Sequence, residues 1–234
     1  MFKRRQTRPQ PTFADIGPLY HEYSFFGFEN EQKPGIFELN QKTKSPIITA
    51  YIAYAIAKSR TTATDDVTFA ELFCADGYYA MVADRLGCSS SVGIDNNRDS
   101  ESSHADEIAA VVGCRNFTFV EADISGDSQF DQVDVVANVG GLYHVSDPAE
   151  TLAMSFRMAR KFLVVQTVVS LANDDPDYYE QPAPGWTWGN RYSRASFDRL
   201  VRATGGTVVD SHFNELEGND RPEDRGSVYY LVQK

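Results

Sequence analysis

The central part of the chain alternates short apolar runs with stretches of helical periodicity. The apolar runs of strand length cover residues 67–73, 91–95, 116–121, 133–137 and 162–169. The helix-period stretches that follow them cover residues 78–86, 101–112 and 148–160. Strands that alternate with helices are typical of a parallel sheet covered by helices, so the pattern predicts an α/β fold.

The two ends of the pattern add one helix before the first strand and a different arrangement after the fifth. Ser45-Pro46 favours a helix start, with a helix over 46–59. Near the other end, Ser196 is expected to cap a helix that stops at the pair Gly205-Gly206. The last two apolar runs, 207–213 and 227–232, are joined by a polar loop with no predicted helix. We therefore expect them to pair antiparallel and to complete a mostly parallel seven-stranded sheet.

The turn after the first strand predicts a binding site for a nucleotide-type cofactor. Ala75 and Gly77 allow a sharp turn, and a helix that begins at Tyr78 points its free N–H groups at the contents of that turn. Glu71 lies at the carboxyl end of this strand, and Asp95 ends the next one. An acid about 20 residues beyond such a turn accepts hydrogen bonds from ribose hydroxyls.

Residues 65–170 resemble the class I S-adenosylmethionine-dependent methyltransferases. The segments 71–78, 93–95 and 121–124 are similar to the first three motifs of that family, in the family's order. The resemblance implies a Rossmann-like three-layer sandwich, S-adenosyl-L-methionine as the cofactor, and methyl transfer as the activity. Phe73 and Ala75 depart from the family pattern, because glycines are usual at both positions.

The resemblance also implies a role for each residue of the cofactor site. Asp95 would bind the ribose hydroxyls, Asp123 would accept from the adenine amino group, and Glu71 would orient the methionine end; the alternatives are a turn residue, a loop acid and a buried structural acid. The expected cofactor-binding residues are Glu71, Asp76, Gly77, Tyr78, Asp95, Asn96, Asp123, Ile124, Asn138 and Val139.

His144 and Tyr143 are the candidate catalytic residues. A neutral imidazole at residue 144 would take the proton of an acceptor hydroxyl, or it would only brace the turn into the next helix. Tyr143 is either an orienting hydroxyl or a core ring. The segments 130–133 and 141–148 are similar to a branch with the tRNA wobble-uridine carboxymethyltransferases and related O-methyltransferases. The fourth motif is not the Asn/Asp-Pro-Pro-aromatic type that grips planar amines, which favours an oxygen acceptor. Residues 191–194 are similar to a segment of the wobble-uridine enzymes, and this resemblance would place Arg191 and Arg194 near the cofactor's carboxylate; ordinary and carboxylated cofactor both stay open.

Composition and charge narrow the partners and the location. The net charge of -11 disfavours non-specific nucleic-acid binding, so the expected partner is a small-molecule or nucleoside methyl acceptor. Three cysteines without zinc-type spacing predict no metal and a cytoplasmic location. No apolar stretch is long enough to cross a membrane.

Residues 1–42 are expected to form an aromatic arm or lid, and residues 43–234 the methyltransferase domain. The arm would pack on its own domain, cover the site, or make an oligomer contact. A tip at residues 33–37 is expected if it is a lid.

Two other functions stay open on the sequence. An NAD(P)-dependent oxidoreductase on a related sheet is disfavoured because the GxGxxG fingerprint is absent. A methyltransferase fold kept as a non-catalytic binding module is favoured by Phe73 and Ala75. The long loop after the fifth strand holds aromatic residues that would stack an acceptor or form a loop core, namely Tyr178, Tyr179, Trp186 and Trp188.

Overall fold

The computed structural model describes residues 11–62, 64–181 and 189–234. The strands are β1 (Thr68–Leu72), β2 (Ser90–Asp95), β3 (Phe117–Glu121), β4 (Val133–Val139), β5 (Ala159–Val169), β6 (Tyr179–Glu180), β7 (Arg191–Tyr192), β8 (Thr207–Glu215) and β9 (Gly226–Gln233). The helices are α1 (Phe13–Ile16), α2 (Phe37–Ser59), α3 (Tyr78–Arg85), α4 (Ala105–Val112), α5 (Pro148–Met158), α6 (Arg194–Arg202) and α7 (Pro222–Arg225).

Seven of the strands form one sheet in the order β3-β2-β1-β4-β5-β9-β8. The first five of these run parallel, β9 pairs antiparallel with β5, and β8 pairs antiparallel with β9. The predicted seven-stranded sheet with a C-terminal antiparallel pair is confirmed. The short β6 and β7 form a separate two-stranded ribbon.

Helices cover both faces of this sheet, which gives the predicted three layers. The arm and helices α2, α3 and α4 bury one set of side chains on one face. Helices α5 and α6 bury the other set on the opposite face. The strands β1, β4 and β5 are buried on both faces, which explains their continuous apolar sequences. Among the described residues, no helix has both the length and the hydropathy that crossing a bilayer requires.

The prediction that a helix begins at Pro46 was wrong, because α2 begins nine residues earlier, at Phe37. Pro46 lies inside this helix and cannot donate the backbone hydrogen bond of that turn. Asn214 of β8 donates to the nearby Thr43 carbonyl at 3.0 Å, so β8 supports this part of the helix from outside. The expected boundary between arm and domain, at 42/43, falls within α2.

Two smaller predictions near the C-terminus also need correction. The N-cap of α6 is Ser193, whose hydroxyl accepts from the Ser196 N–H at 3.0 Å, while Ser196 returns a bond to the Ser193 N–H. Ser196 is therefore the third helical residue of a capping box and not the cap. The polar loop between the last two strands contains the one-turn helix α7.

Candidate active site

The carboxyl ends of the parallel strands meet at one edge of the sheet. Leu72 at the end of β1 pairs with Ile94 of β2 on one side and with Asn138 of β4 on the other. Asp95 of β2 pairs with Glu121 of β3. The strand order reverses at β1, and ligands of open α/β sheets bind in the crevice outside such a reversal.

The turn after β1 keeps the backbone of a glycine-rich loop although only one glycine remains. The φ angles of Phe73, Ala75 and Gly77 are 59°, 48° and 85°, so all three lie in the left-handed region. A β-carbon at Gly77 would come within 2.7 Å of the Phe117 ring. The left-handed conformation costs a non-glycine residue about 1 kcal/mol. The surrounding structure therefore stabilises this conformation at both Phe73 and Ala75.

Phe73 directs its ring toward the segment after β4. A β-carbon at Gly141 would lie 1.8 Å from the Phe73 ring, so the absence of a side chain at Gly141 makes room for that ring. The ring remains partly exposed at this edge. This contact joins the first turn of the site to the segment that carries the candidate catalytic residues.

Glu71 and Asp95 hold the two ends of the turn. Glu71 is buried, and its carboxylate accepts from the Ala80 N–H of α3 at 2.7 Å. Burial raises the pKa of Glu71 well above its ordinary value. Asp95 accepts from the Ala75 N–H and from the Asn97 N–H, each at 3.0 Å, and its side chain is half-buried. Asp95 therefore faces the crevice, while Glu71 braces the start of α3.

The residues expected around the adenine lie beside Asp95. Asn96 donates to the Asp123 carboxylate at 3.3 Å, and Asp123 is exposed. Ile124 is buried and belongs to the core on the α5 face. The polar groups of β2 and β3 are thus brought together as the sequence predicts.

At the end of β4, the structure leaves polar atoms without partners. The Asn138 amide donates to the Ser155 hydroxyl at 3.0 Å, but its oxygen Oδ1 is buried with no hydrogen-bond partner among the described residues. Val139 is buried on the opposite face, against α2 and α3. Gln166 of β5 is in register with Val139, and its oxygen Oε1 is likewise buried and unpartnered within the described part of the chain.

Asp76 is turned away from the crevice toward the arm. Its carboxylate oxygen Oδ2 accepts from the backbone N–H of His21 at 2.9 Å, and its other oxygen, Oδ1, lies 2.5 Å from the His21 ring nitrogen Nδ1. Asp76 is fully buried and His21 nearly so, and the His21 ring stacks on Tyr78 at 4.8 Å between ring centroids. The expected cofactor residues Asp76 and Tyr78 thus hold the arm against the turn.

The described part of the arm packs near the strand ends of the site. Lys33 pairs with Glu101, beyond the end of β2, at 2.6 Å. Burial, followed by the nearby Tyr143, Asp76, Glu101 and Asp95, raises the pKa of Tyr20 well above its ordinary value. The Tyr20 ring packs on Phe37, the first residue of α2, at 4.8 Å. The described part of the arm therefore packs on its own domain, and its role as a lid stays a prediction.

The candidate catalytic residues lie on a single 3-10 turn after β4. The rings of Tyr143 and His144 are 4.0 Å apart, and Asn190 fixes the turn by donating to the carbonyls of Leu142 and Val145 at 3.1 and 2.7 Å. Desolvation and then the Arg191 charge lower the pKa of His144 to about 4, although the residue is exposed at the surface. His144 is therefore neutral at physiological pH.

The two arginines expected at the cofactor's carboxylate have other partners. Arg191 is buried and pairs with Asp224, and its Nη1 also donates to the carbonyls of Gly189 and Asn190. The Arg194 guanidinium lies 4.7 Å from the centre of the Phe213 ring on β8. The Arg191 charge is therefore paired, and Arg194 lies against β8, the edge strand of the sheet.

An outer groove of about 960 Å³ lies between the arm and the first turns of α2. It is lined by Gln32, Gln41, Ser45 and Tyr78 among others. Two of the aromatic loop residues are among the described residues. Tyr179 is the first residue of β6 and packs on Tyr192, and Tyr178 directly precedes this strand. Trp186 and Trp188 lie outside the described residues.

Three residues of the site escaped the sequence analysis: His21, Gln166 and Asn190. Each contacts or faces residues far away along the chain, as His21 and Asp76 do across 55 positions. Only Gln166 could have been noticed in the sequence, because it is a polar residue within an apolar strand. Strands that are buried on both faces seldom contain an amide side chain. The others carried no local signal.

Known structures with this fold include methyltransferases and a cyclase. No protein-family model matches the chain, and no curated protein matches it by sequence. The N-terminal domain of EvdMO1 with SAH bound is similar at TM-score 0.67 and 17% identity, over 94% of this chain and 93% of that one. Magnesium protoporphyrin IX methyltransferase from Synechocystis PCC 6803 with bound SAH gives 0.62 and 11%, over 91% and 92%.

The cyclase SpnF gives a TM-score of 0.58 and 16% identity, over 82% of this chain and 81% of that one. Together, these similarities show that the chain has the fold of the class I S-adenosylmethionine-dependent methyltransferases.

Proposed function

We propose that the protein transfers a methyl group from S-adenosyl-L-methionine to an oxygen atom of a small molecule, a sugar or an RNA nucleoside. The observation that carries this proposal is the turn after β1. Phe73, Ala75 and Gly77 all keep the left-handed backbone, and the Asp95 carboxylate reaches back to the Ala75 N–H at 3.0 Å. Two non-glycine residues in this strained backbone are explained if the turn must approach a ligand closely.

The residues present suit this cofactor. Asp95, Asn96 and Asp123 supply acceptors and donors for the ribose and the adenine, at the ends of β2 and β3. The unpartnered oxygen of Asn138 is an acceptor that an ammonium group at the methionine end would satisfy. We propose the ordinary cofactor rather than its carboxylated form, since the Arg191 charge is already paired with Asp224.

The chain's own contribution to catalysis would be placement and proton transfer. When bound, the cofactor supplies an electrophilic methyl group on a sulfonium. Holding the acceptor in line with that methyl group provides much of the rate increase. The arm, with Tyr20 above the crevice, would exclude water, and neutral His144 would accept the acceptor's hydroxyl proton. Tyr143 would orient the same hydroxyl.

A second candidate is a module that binds the cofactor without transferring the methyl group. The Phe73 ring favours this reading, because it packs at Gly141 beside the segment that would receive the acceptor. For either candidate we propose a cytoplasmic location, in keeping with the three free cysteines. An oligomer contact through the arm stays a sequence prediction.

Calorimetric titration of the full chain with S-adenosylhomocysteine tests the proposed function. We expect micromolar binding by the wild type and no binding of NADH. Asp95→Ala should weaken the affinity about 100-fold, because it removes charge-assisted hydrogen bonds to both ribose hydroxyls and the brace on Ala75. The matched control is Asp99→Ala, an exposed acid four residues further on, which should change the affinity less than twofold.

Wild-type protein that shows no binding at high micromolar concentration would contradict the proposed function. Equal losses for the Asp95 and Asp99 variants would contradict the ribose role. Methyl transfer from labelled cofactor to a panel of hydroxyl compounds then separates an enzyme from a binding module.

A further inference from the structure

Lys44 is a lysine on the core-facing side of α2. It shares that side with Ile48, Tyr51 and Ile52, which are buried against the sheet. Within the described part of the chain its ammonium group has no ion pair or hydrogen bond, and burial lowers its pKa to about 8. The residue retains partial exposure and does not line the outer groove. A lysine in this position lacks the counter-charge that buried lysines ordinarily have.

The length of α2 places Lys44 at the carboxyl edge of the sheet. Lys161, near the start of β5, donates to the Ser59 carbonyl at the C-terminal end of α2 at 2.7 Å. Lys44 lies fifteen residues earlier in the helix, about 22 Å at 1.5 Å per residue. The helix α2 packs on β5, and a strand rises about 3.3 Å per residue. The same distance, counted along β5 from Lys161, therefore ends at positions 167–168. Lys44 is therefore level with the end of β5.

An independent chain of contacts leads from Lys44 to Gln166. The carbonyl of Thr43 accepts from Asn214, and Asn214 in turn accepts from the Tyr229 hydroxyl at 2.9 Å. Tyr229 of β9 is in register with Gln166 of β5. The residue next to Lys44 is thus tied to the strand position adjacent to Gln166.

Gln166 has a free hydrogen-bonding group in the same place. Its Nε2 donates to Ser227 at 2.9 Å, while its Oε1 is buried without a partner among the described residues. That oxygen lies 3.9 Å from where a β-carbon of Gly140 would be, so it faces the space beside the turn after β4. Gln166 itself is 1% exposed. The unpaired ammonium group of Lys44 and the unpaired oxygen of Gln166 therefore lie at the same end of the strand pair β4–β5.

We propose that Lys44 and Gln166 form the acceptor subsite, which binds a small carboxylic acid that also carries a hydroxyl group. The Lys44 ammonium group binds the carboxylate, and the Gln166 oxygen accepts from the hydroxyl. This assignment rests on the proposed function and narrows its substrate class. Lys44 and Gln166 are assigned to the methyl acceptor because they lie at the end of β4 and β5, whereas the cofactor crevice opens between β1 and β4.

The probe for this subsite is 3-hydroxybenzoate, compared with the neutral 3-hydroxybenzamide. The acid carries the carboxylate and the hydroxyl group on one rigid ring, and the amide differs from it by the loss of the charge. Each compound is titrated by calorimetry into full-length protein saturated with S-adenosylhomocysteine at pH 7. We expect the wild type to bind the acid at least about tenfold more tightly than the amide, because a buried ammonium–carboxylate contact is charge-assisted.

Lys44→Met should abolish the preference for the acid and leave the affinity for S-adenosylhomocysteine unchanged. Removing an unpaired buried charge does not threaten folding. The matched control is Lys42→Met, an exposed lysine paired with Glu38, which should keep the preference. Benzoate tests Gln166: its affinity should fall below that of 3-hydroxybenzoate in the wild type and equal it in Gln166→Met.

The possible failures are distinguishable. A wild type that binds S-adenosylhomocysteine but does not prefer the acid overturns the subsite, and so does a preference that survives Lys44→Met. A large loss of S-adenosylhomocysteine affinity in Lys44→Met would overturn it too, by assigning Lys44 to the cofactor's own carboxylate. No binding of S-adenosylhomocysteine by the wild type would instead overturn the proposed function and the assignment that rests on it.

Discussion

The two sides of the crevice are built in different ways. On the adenosine side, at the ends of β2 and β3, the contacts join residues close in the chain: Asp95 and Ala75 are 20 positions apart, Asn96 and Asp123 are 27. On the other side, called the covered side, the arm and α2 pack on the domain: His21 reaches Asp76 across 55 positions and Asn40 reaches Glu217 across 177. The adenosine side follows from strand order, whereas the covered side depends on tertiary packing.

The turn after β1 is where the two sides meet. Its Ala75 N–H donates to Asp95 on the adenosine side, its Asp76 holds the arm through His21, and its Phe73 packs at Gly141. Substitutions at these contacts should therefore separate the stability of the covered side from the binding properties of the adenosine side.

The largest effect on stability is expected from His21→Ala. It leaves the fully buried Asp76 carboxylate without the His21 ring that it contacts and should lower the free energy of unfolding by about 3 kcal/mol. Denaturant titration measures this loss, and limited proteolysis should show earlier cleavage within the arm. The matched control is His104→Ala, because His104 and Glu107 form a pair of the same length at the surface. Its loss should be below about 0.5 kcal/mol. Equal losses would show that the arm is not held by burial of this pair.

A smaller loss is expected from Gly141→Ala, which sharpens the comparison at the Phe73 contact. The new methyl group would overlap the Phe73 ring, and overpacking of this kind costs about 2 kcal/mol. Because Phe73 belongs to the cofactor turn, affinity for S-adenosylhomocysteine should fall as well. Gly141 has a φ of -95°, which alanine adopts without strain, so the expected loss comes from the contact with Phe73 alone. Unchanged affinity in Gly141→Ala would mean that the two sides are not coupled through Phe73.

The smallest effect is expected from Glu71→Gln, measured as stability against pH. Burial raises the pKa of Glu71, so the folded protein keeps a proton that the unfolded chain has released, and wild-type stability falls as pH rises above about 4.5. The glutamine keeps an acceptor for the Ala80 N–H without this cost. It should match the wild type near pH 5 and exceed it by about 1 kcal/mol at pH 8. A variant less stable at pH 8 would contradict this, and Glu121→Gln, an exposed strand-end acid, should show no such pH dependence.

The sequence predicts most of the fold because its strands are buried on both faces and its helices follow the local rules. Where it fails, a distant residue overrides those rules. Pro46 favours a helix start, but Asn214, 171 positions away from Thr43, supports the backbone next to it inside a longer helix. Ser193 and Ser196 stand three positions apart, so either fits a cap, and only the structure shows that Ser193 is the N-cap.

The candidate site divides in the same way. Asp95 and Asp123 could be located because each follows a recognisable strand, and parallel strand ends share an edge. The sequence could not show that Asp76 would turn toward His21, since that contact depends on where the arm folds. Lys44 was equally hidden, because its position follows from the length and direction of a helix whose start was misplaced.

A crystal structure of the protein with S-adenosylhomocysteine bound tests the central claim most directly. The account predicts both ribose hydroxyls within hydrogen-bonding distance of the Asp95 carboxylate, with the ligand lying against the turn formed by Phe73, Ala75 and Gly77. A ligand bound away from the β1–β4 edge, or one that leaves Asp95 without a contact, would contradict it.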